Sequence, residues 1–237
     1  MRAVLRQGVD DLEARDENGA TAFLCACYKG SAECIVVLAK AGCDKAAATD
    51  NGGTALMQAA WSKEAAAVRA VLGLGVADRD ARGHGGWTAF LMACQNRSAD
   101  CIGVLAEAGC DKTARSETGT TALMQAANSG EAAAVRAVLG LGVADREARD
   151  THGRTAILHA CGKGSPECIG VLAEARCDTA VTMPAPVGRG SRRWGARITG
   201  DANVAALHHV RGLSMPANFT CSIPSIESVL KPGGCYM

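Results

Sequence analysis

The feature that most constrains this chain is a phrase, Thr-Ala-apolar-apolar, that returns at Thr21, Thr54, Thr88, Thr121 and Thr155, alternately 33 and 34 residues apart. Fixed-period self-similarity of this length marks stacked supersecondary units. The copies are of two kinds. "TAFLCACYKGSAECIVVLAKAGCDK", "TAFLMACQNRSADCIGVLAEAGCDK" and "TAILHACGKGSPECIGVLAEARCDT" form one, and "TALMQAAWSKEAAAVRAVLGLGVADRDAR" and "TALMQAANSGEAAAVRAVLGLGVADREAR" the other. The unit of duplication is therefore a pair, 67 residues long.

Each copy reads as helix, turn, helix, loop. The threonine stands where an N-cap hydroxyl can satisfy a free helix N–H. Lys-Gly-Ser or Ser-Gly-Glu breaks the first helix about eight residues later. The second helix keeps Val135, Val138 and Leu139 on one face by three- and four-residue spacing, with Gly142 as a left-handed terminator. Loops carrying "DENG", "DNGG", "ETGT" or "DTHG" favour tight turns, which also accounts for the carboxylates Asp16, Asp50 and Asp150. Aromatics make up only 3% of the chain, so the core must be built from small side chains, which suits short close-packed helices better than a β-sandwich. A lone two-helix unit cannot cover its own apolar face, and the copies must stack.

The stretch "DTHGRTAILHACGKGSPECIGVLAEARCD" resembles the ankyrin repeat: an Asp-x-x-Gly-x-Thr loop, a short inner helix, a Gly turn and an apolar outer helix. The resemblance covers residues 1–181 in five in-register copies. It implies an all-α fold, an ankyrin-type α-solenoid of about five stacked helix-turn-helix repeats joined by β-turn loops. A half repeat (1–20) precedes repeats starting near 21, 54, 88, 121 and 155, and an irregular tail follows at 182–237. Two departures stand out. The family's Pro after Thr is Ala22, Ala55, Ala89, Ala122 and Ala156, and its usual His is Leu24, Met57, Leu91, Met124 and Leu158. His159 falls one place too late for that role. The expectation is that apolar packing replaces loop-bracing polar contacts, at some cost in stability but not to the fold.

Both ends are atypical. "MRAVLRQGVDDLEARD" aligns with residues 135–150, so Met1 falls inside an outer helix. Array ends normally carry a polar cap; the expectation is a fragment of a longer array or a first helix covered by a partner. Five of the six prolines fall in the tail, which is expected to be disordered. The tail holds six basic and two acidic residues, a net +4 against +1 for the whole chain, leaving −3 on the array. "RGSRR" suits acidic surfaces or nuclear import. Asn218-Phe219-Thr220 matches a glycosylation acceptor but reads as chance without secretion.

Catalytic motifs are missing. "GLGVADR" begins like a dinucleotide loop, but Asp78 and Asp145 replace the third glycine and the segment sits at a helix end. The near-neutral charge gives no bulk argument for nucleic acid, no apolar run approaches a membrane span, and the charged N-terminus is no signal peptide. Twelve cysteines without a route to secretion are expected to be reduced, in a cytoplasmic protein with the nucleus as the other open compartment. Cys27, Cys94 and Cys161 form one column, Cys34, Cys101 and Cys168 a second, and Cys43, Cys110 and Cys177 a third. In the intervening repeats these places hold Ala60 and Ala127, small apolar residues, or Val76 and Val143, which is how a small buried hydrophobe behaves. Homologous cysteines two repeats apart sit about 20 Å from one another, too far for a disulfide or a shared metal. Neither a metal nor another cofactor is called for. Cys25 lies outside the ladder and is the candidate reactive thiol.

In the ankyrin family, recognition uses loop tips and the exposed side of the inner helix. The copies disagree most at those places, which nominates Tyr28, Gln58, Trp61, Trp87, Met92, Gln125, Arg154 and His159 as partner-binding residues, with Tyr28, Trp61 and Trp87 as one aromatic patch. An exposed aromatic carries apolar area that becomes useful when a partner covers it. The resemblance implies a non-catalytic scaffold that holds another protein. Two readings stay open beside it: a targeting segment of a larger enzyme or channel, and a thiol-responsive adaptor.

Overall fold

A computed structural model describes residues 12–75, 78–142, 146–175 and 177. The half repeat before residue 12 and the 182–237 tail lie outside the described residues. Five repeats follow one another, each with a short inner and a longer outer helix: α1 Ala22–Tyr28 and α2 Ala32–Lys40, α3 Ala55–Trp61 and α4 Ala65–Gly73, α5 Ala89–Gln95 and α6 Ala99–Glu107, α7 Ala122–Ser129 and α8 Ala132–Gly140, α9 Ala156–Lys163 and α10 Pro166–Glu174. A 3-10 turn, His84–Gly86, lies in the loop before α5. Inner helices pack on inner helices and outer on outer, so two helical layers run the length of the described array.

Local chemistry sets these boundaries. Thr21, Thr54, Thr88 and Thr121 accept a hydrogen bond from the amide three residues on, at 3.3–3.5 Å, whereas Thr155 makes no such side-chain cap. Ser31, Ser98 and Ser165 cap α2, α6 and α10 in the same way. Glu64 and Glu131 occupy that place in the Ala-rich repeats without a capping bond. Nine residues after each threonine the chain turns through the left-handed region. Gly30, Gly130 and Gly164 do so without strain, while Lys63 (φ 71) and Arg97 (φ 70) carry a Cβ there.

The core runs between the layers. Phe23, Leu56, Phe90 and Leu123 fill one inner-helix column, each at most 1% exposed. Leu24, Met57, Leu91 and Met124, standing where the family has His, are equally buried, so apolar packing does take over there. Alanines between them let neighbouring helices approach closely. The cysteine columns behave as small hydrophobes. Cys27, Cys94, Cys101, Cys168, Cys43, Cys110 and Cys177 are buried, and Cys34 and Cys161 half-buried. The counterparts Ala60, Ala127, Ala67 and Ala134 are fully buried, while Val76 and Val143 lie outside the described residues.

The loops are tied into a ladder. Each is a tight turn closed by its own backbone, as in Asp16 N–H to Ala20 O and Gly19 N–H to Asp16 O. One amide then crosses to the preceding loop: Asp50 to Asn18 O, His84 to Asn51 O, Glu117 to Gly85 O and Thr151 to Thr118 O, at 2.9–3.1 Å. Side chains add further ties between repeats. Ser98 Oγ donates to Lys63 O and Ser165 Oγ to Gly130 O. Arg79 and Arg146 reach the C-terminal carbonyls Ala108 O and Ala175 O of the following outer helices, satisfying acceptors that a helix end leaves open.

Candidate functional site

The turn residue five before each threonine decides whether a side chain braces each loop. Asp16, Thr49, Ser116 and Asp150 each accept backbone N–H bonds of their own turn through a side-chain oxygen. Gly83, in the same place, has no side chain to do so. These loops form one wall of a groove whose other wall is the inner-helix row.

Over the first two repeats the groove encloses about 350 Å³ and is lined by Asp16, Asn18, Cys25, Tyr28, Thr49 and Gln58 among others. It continues into a space of about 270 Å³ bordered by Asn51, Gln58, His84 and Met92. Tyr28 (48% exposed) lines it, and Trp61 (40%), at the end of the next inner helix, is likewise exposed; besides them only Val36 is a large exposed hydrophobic among the described residues. Lys29 Nζ lies 5.7 Å from the centre of the Tyr28 ring, within cation–π range. The Asn96 amide of the third repeat donates to Trp61 O, fixing the end of α3.

The nominated residues divide sharply. Tyr28, Trp61 and Cys25 are exposed, and Gln58, Met92, Trp87 and Arg154 half-buried. Gln125 (6%) and His159 (8%) are buried, which corrects the expectation that they face outward. Trp87 also departs from expectation: it packs against the core instead of standing in solvent. Its ring lies against the Gly85 turn, where an added Cβ would stand 3.1 Å from Trp87 Cδ1. The groove residues that sequence reasoning passed over, Asn18, Thr49, Asn51 and His84, belong to turns. Their signal was the loop register alone, since the turn explains each of them without a partner.

His159 carries the second correction. Its Nε2 lies 3.1 Å from Asp150 Oδ2. The same carboxylate oxygen accepts from Arg154 Nε at 2.8 Å and pairs with the Arg154 guanidinium. The last repeat therefore keeps a polar loop brace, delivered from one place later than the family pattern. Burial and the Arg154 charge hold the imidazole below its ordinary pKa of 6.5. Burial opposes ionisation of Asp150, but the hydrogen bonds and charge of Arg154, together with the His152 amide, outweigh it and keep the carboxyl below its usual range.

Burial also raises the thiols, Cys27 to about 12 and Cys110 to about 11, with Cys94 higher still. Thiols so rarely ionised are poor nucleophiles and poor metal ligands. Among the described residues, no group of three or more His, Cys, Asp or Glu side chains converges to hold a metal ion, and no helix is long and apolar enough to cross a membrane.

No curated protein matches the chain. Comparison with protein families matches ankyrin repeats (3 copies) over residues 2–82 and 91–183, most of the sequence. With capped inner helices, a laced ladder of turns and a family match over both halves of the array, this chain belongs to the ankyrin-repeat family.

Proposed function

We propose that the protein is a non-catalytic scaffold that holds a partner protein in the groove between its loop tips and inner helices, centred on the first two repeats. Ankyrin repeats are in general protein-interaction modules. The observation that carries the placement is the exposed Tyr28 lining a groove with Asn18, Thr49 and Gln58, while Trp61 is exposed at the end of the adjacent inner helix. Aromatic side chains of this kind supply large contact area at low entropic cost, while Asn18, Gln58 and Thr49 offer donors and acceptors for a partner's backbone. Gln58 and Met92 extend the surface toward the third repeat, whereas Gln125 and His159, which are buried, and Arg154, which braces Asp150, are left out. Reduced thiols fit a cytoplasmic setting.

The test is capture by the Tyr28→Ala/Trp61→Ala double variant. Loss of the proteins retained by the unmodified chain, with an unchanged melting temperature, supports the reading. Undiminished capture overturns it.

A further inference from the structure

We infer that the partner enters the groove as an extended, uncharged polypeptide segment, held through its backbone by the side-chain amides of Asn18, Asn51 and Gln58. The inference rests on the scaffold reading above and names the kind of segment that the groove would take.

Three observations carry it. The two spaces of the groove share Asn18, Thr49 and Gln58, so one channel crosses the first three repeats. Asn18 and Asn51 give their backbone carbonyls to the ladder between loops, but their side-chain amides and that of Gln58 meet no hydrogen-bond partner among the described residues. The third observation is a comparison inside the molecule. The same stretch, "TALMQAA", carries Gln58 in the second repeat and Gln125 in the fourth. Gln58 is half-buried, whereas Gln125 is only 6% exposed. Gly53 and Gly83 line the space at Gln58, and Thr120 and Asp150 hold the corresponding places beside Gln125 in the sequence pattern. A Cβ at Gly53 would stand 2.8 Å from both Gln58 Nε2 and Thr49 Oγ1. Glycine there keeps the Gln58 amide open to the channel.

Amide chemistry selects the occupant. A primary amide offers two donors and an acceptor, which the C=O and N–H of a peptide unit match. Helices and sheet interiors use those groups internally, so an extended segment is the form that has them to give. Asn18 and Asn51 hold the same register, three before Thr21 and Thr54, one repeat step of about 10 Å apart. Three residues of extended chain cover about 10 Å as well, which lets both amides engage one strand. Asp16 and Lys29 are the only carboxylate and the only lysine or arginine among the lining residues. Asp16 Oδ1 already holds the Asn18 and Ala20 amides, and Lys29 Nζ lies over the Tyr28 ring. A charged side chain set against Asn51, Gln58 and Met92 would lose water without gaining an opposite charge.

Phage-displayed linear peptides of about eight residues, long enough to cross two repeat steps, are selected against the full-length chain. Recovered peptides are expected to carry uncharged central residues. They should bind the N18A/N51A/Q58M variant about tenfold more weakly or worse, with its melting temperature unchanged. Methylating single backbone nitrogens of a recovered peptide leaves the protein intact, and is expected to weaken binding about tenfold at central positions and little at the ends. No enrichment, equal binding by the variant, charged central residues, or indifference to N-methylation overturns the proposal. If no peptide is enriched while Tyr28→Ala/Trp61→Ala still abolishes capture, the partner docks as a folded surface and this inference alone falls. If peptides bind through the amides while that double variant captures undiminished, the placement on the aromatic residues falls instead.

Discussion

Four residues after the threonine, the inner helices of the first two repeats present Cys25 and Gln58, exposed and half-buried, whereas those of the last two bury Gln125 and His159. The register is the same, and so is the short helix that carries it. What differs is the use made of polar side chains. At the C-terminal end His159 and Arg154 turn inward onto Asp150 and stiffen the loop. At the N-terminal end Asp16 is exposed and holds only its own turn amides, which leaves Tyr28, Cys25 and Gln58 facing outward. One end of the array turns its variable residues onto its own loop, and the other leaves them in solvent.

The largest expected effect tests that division. Asp150→Ala strands a buried imidazole, part of a guanidinium and two amides, and should destabilise the last repeat by about 3 kcal/mol. Asp16→Ala removes an exposed turn acceptor and should cost about 1 kcal/mol. Urea denaturation of both variants makes the comparison, and equal losses would break it.

The aromatic residues come next. Trp87→Ala empties a half-buried site against the core and should cost about 2 kcal/mol, below the 3–5 of a fully buried aromatic. Trp61→Ala should stay within about 0.5 kcal/mol while abolishing capture. If both melt alike, the distinction between packed and exposed tryptophan is wrong.

A pH series separates the two ends in another way. The folded-state pKa of His159 lies below 6.5, so the unfolded chain takes up the proton first as pH falls. The stability tied to the neutral imidazole is whole above about pH 6.5 and is lost progressively beneath it. Asp150, held below 3.8, adds a second loss that begins near pH 4 and grows as its own lower pKa is approached. Amide hydrogen exchange should show α9 and its loop loosening between about pH 7 and 5 before α1 does. His159→Gln should remove that early step.

The smallest effect concerns the turns after the inner helices. The fourth and fifth repeats place Gly130 and Gly164 in the left-handed turn that the second and third fill with Lys63 and Arg97. Relief of about 1–2 kcal/mol of Cβ strain is partly offset by the freedom glycine gains in the unfolded chain, about 0.4–1 kcal/mol. Lys63→Gly and Arg97→Gly should each stabilise by about 0.5 kcal/mol, read from the denaturation midpoint.

Much of the architecture was legible in the sequence because each signal was local and repeated. The Thr caps, the left-handed turns and the alternating Cys and Ala columns recur at fixed spacing, and five copies of a weak signal reinforce one another. The reading failed at Trp87 and His159 for the opposite reason. Each sits at a variable position, where register says which face a side chain starts from but not where it ends. Trp87 folded back onto the glycine turn that precedes it. His159 reached an aspartate nine residues earlier, a contact made possible only when α9 and its loop close on each other.

The sequence alone therefore determined the repeat, the two helical layers and the small-residue core, since periodicity and side-chain volume leave a two-helix unit no other way to bury its apolar face. Tertiary structure decided which variable residues remain in solvent. Whether a side chain at the rim is exposed depends on the free energy of contacts with neighbouring repeats and loops, which no position in a repeating pattern specifies by itself.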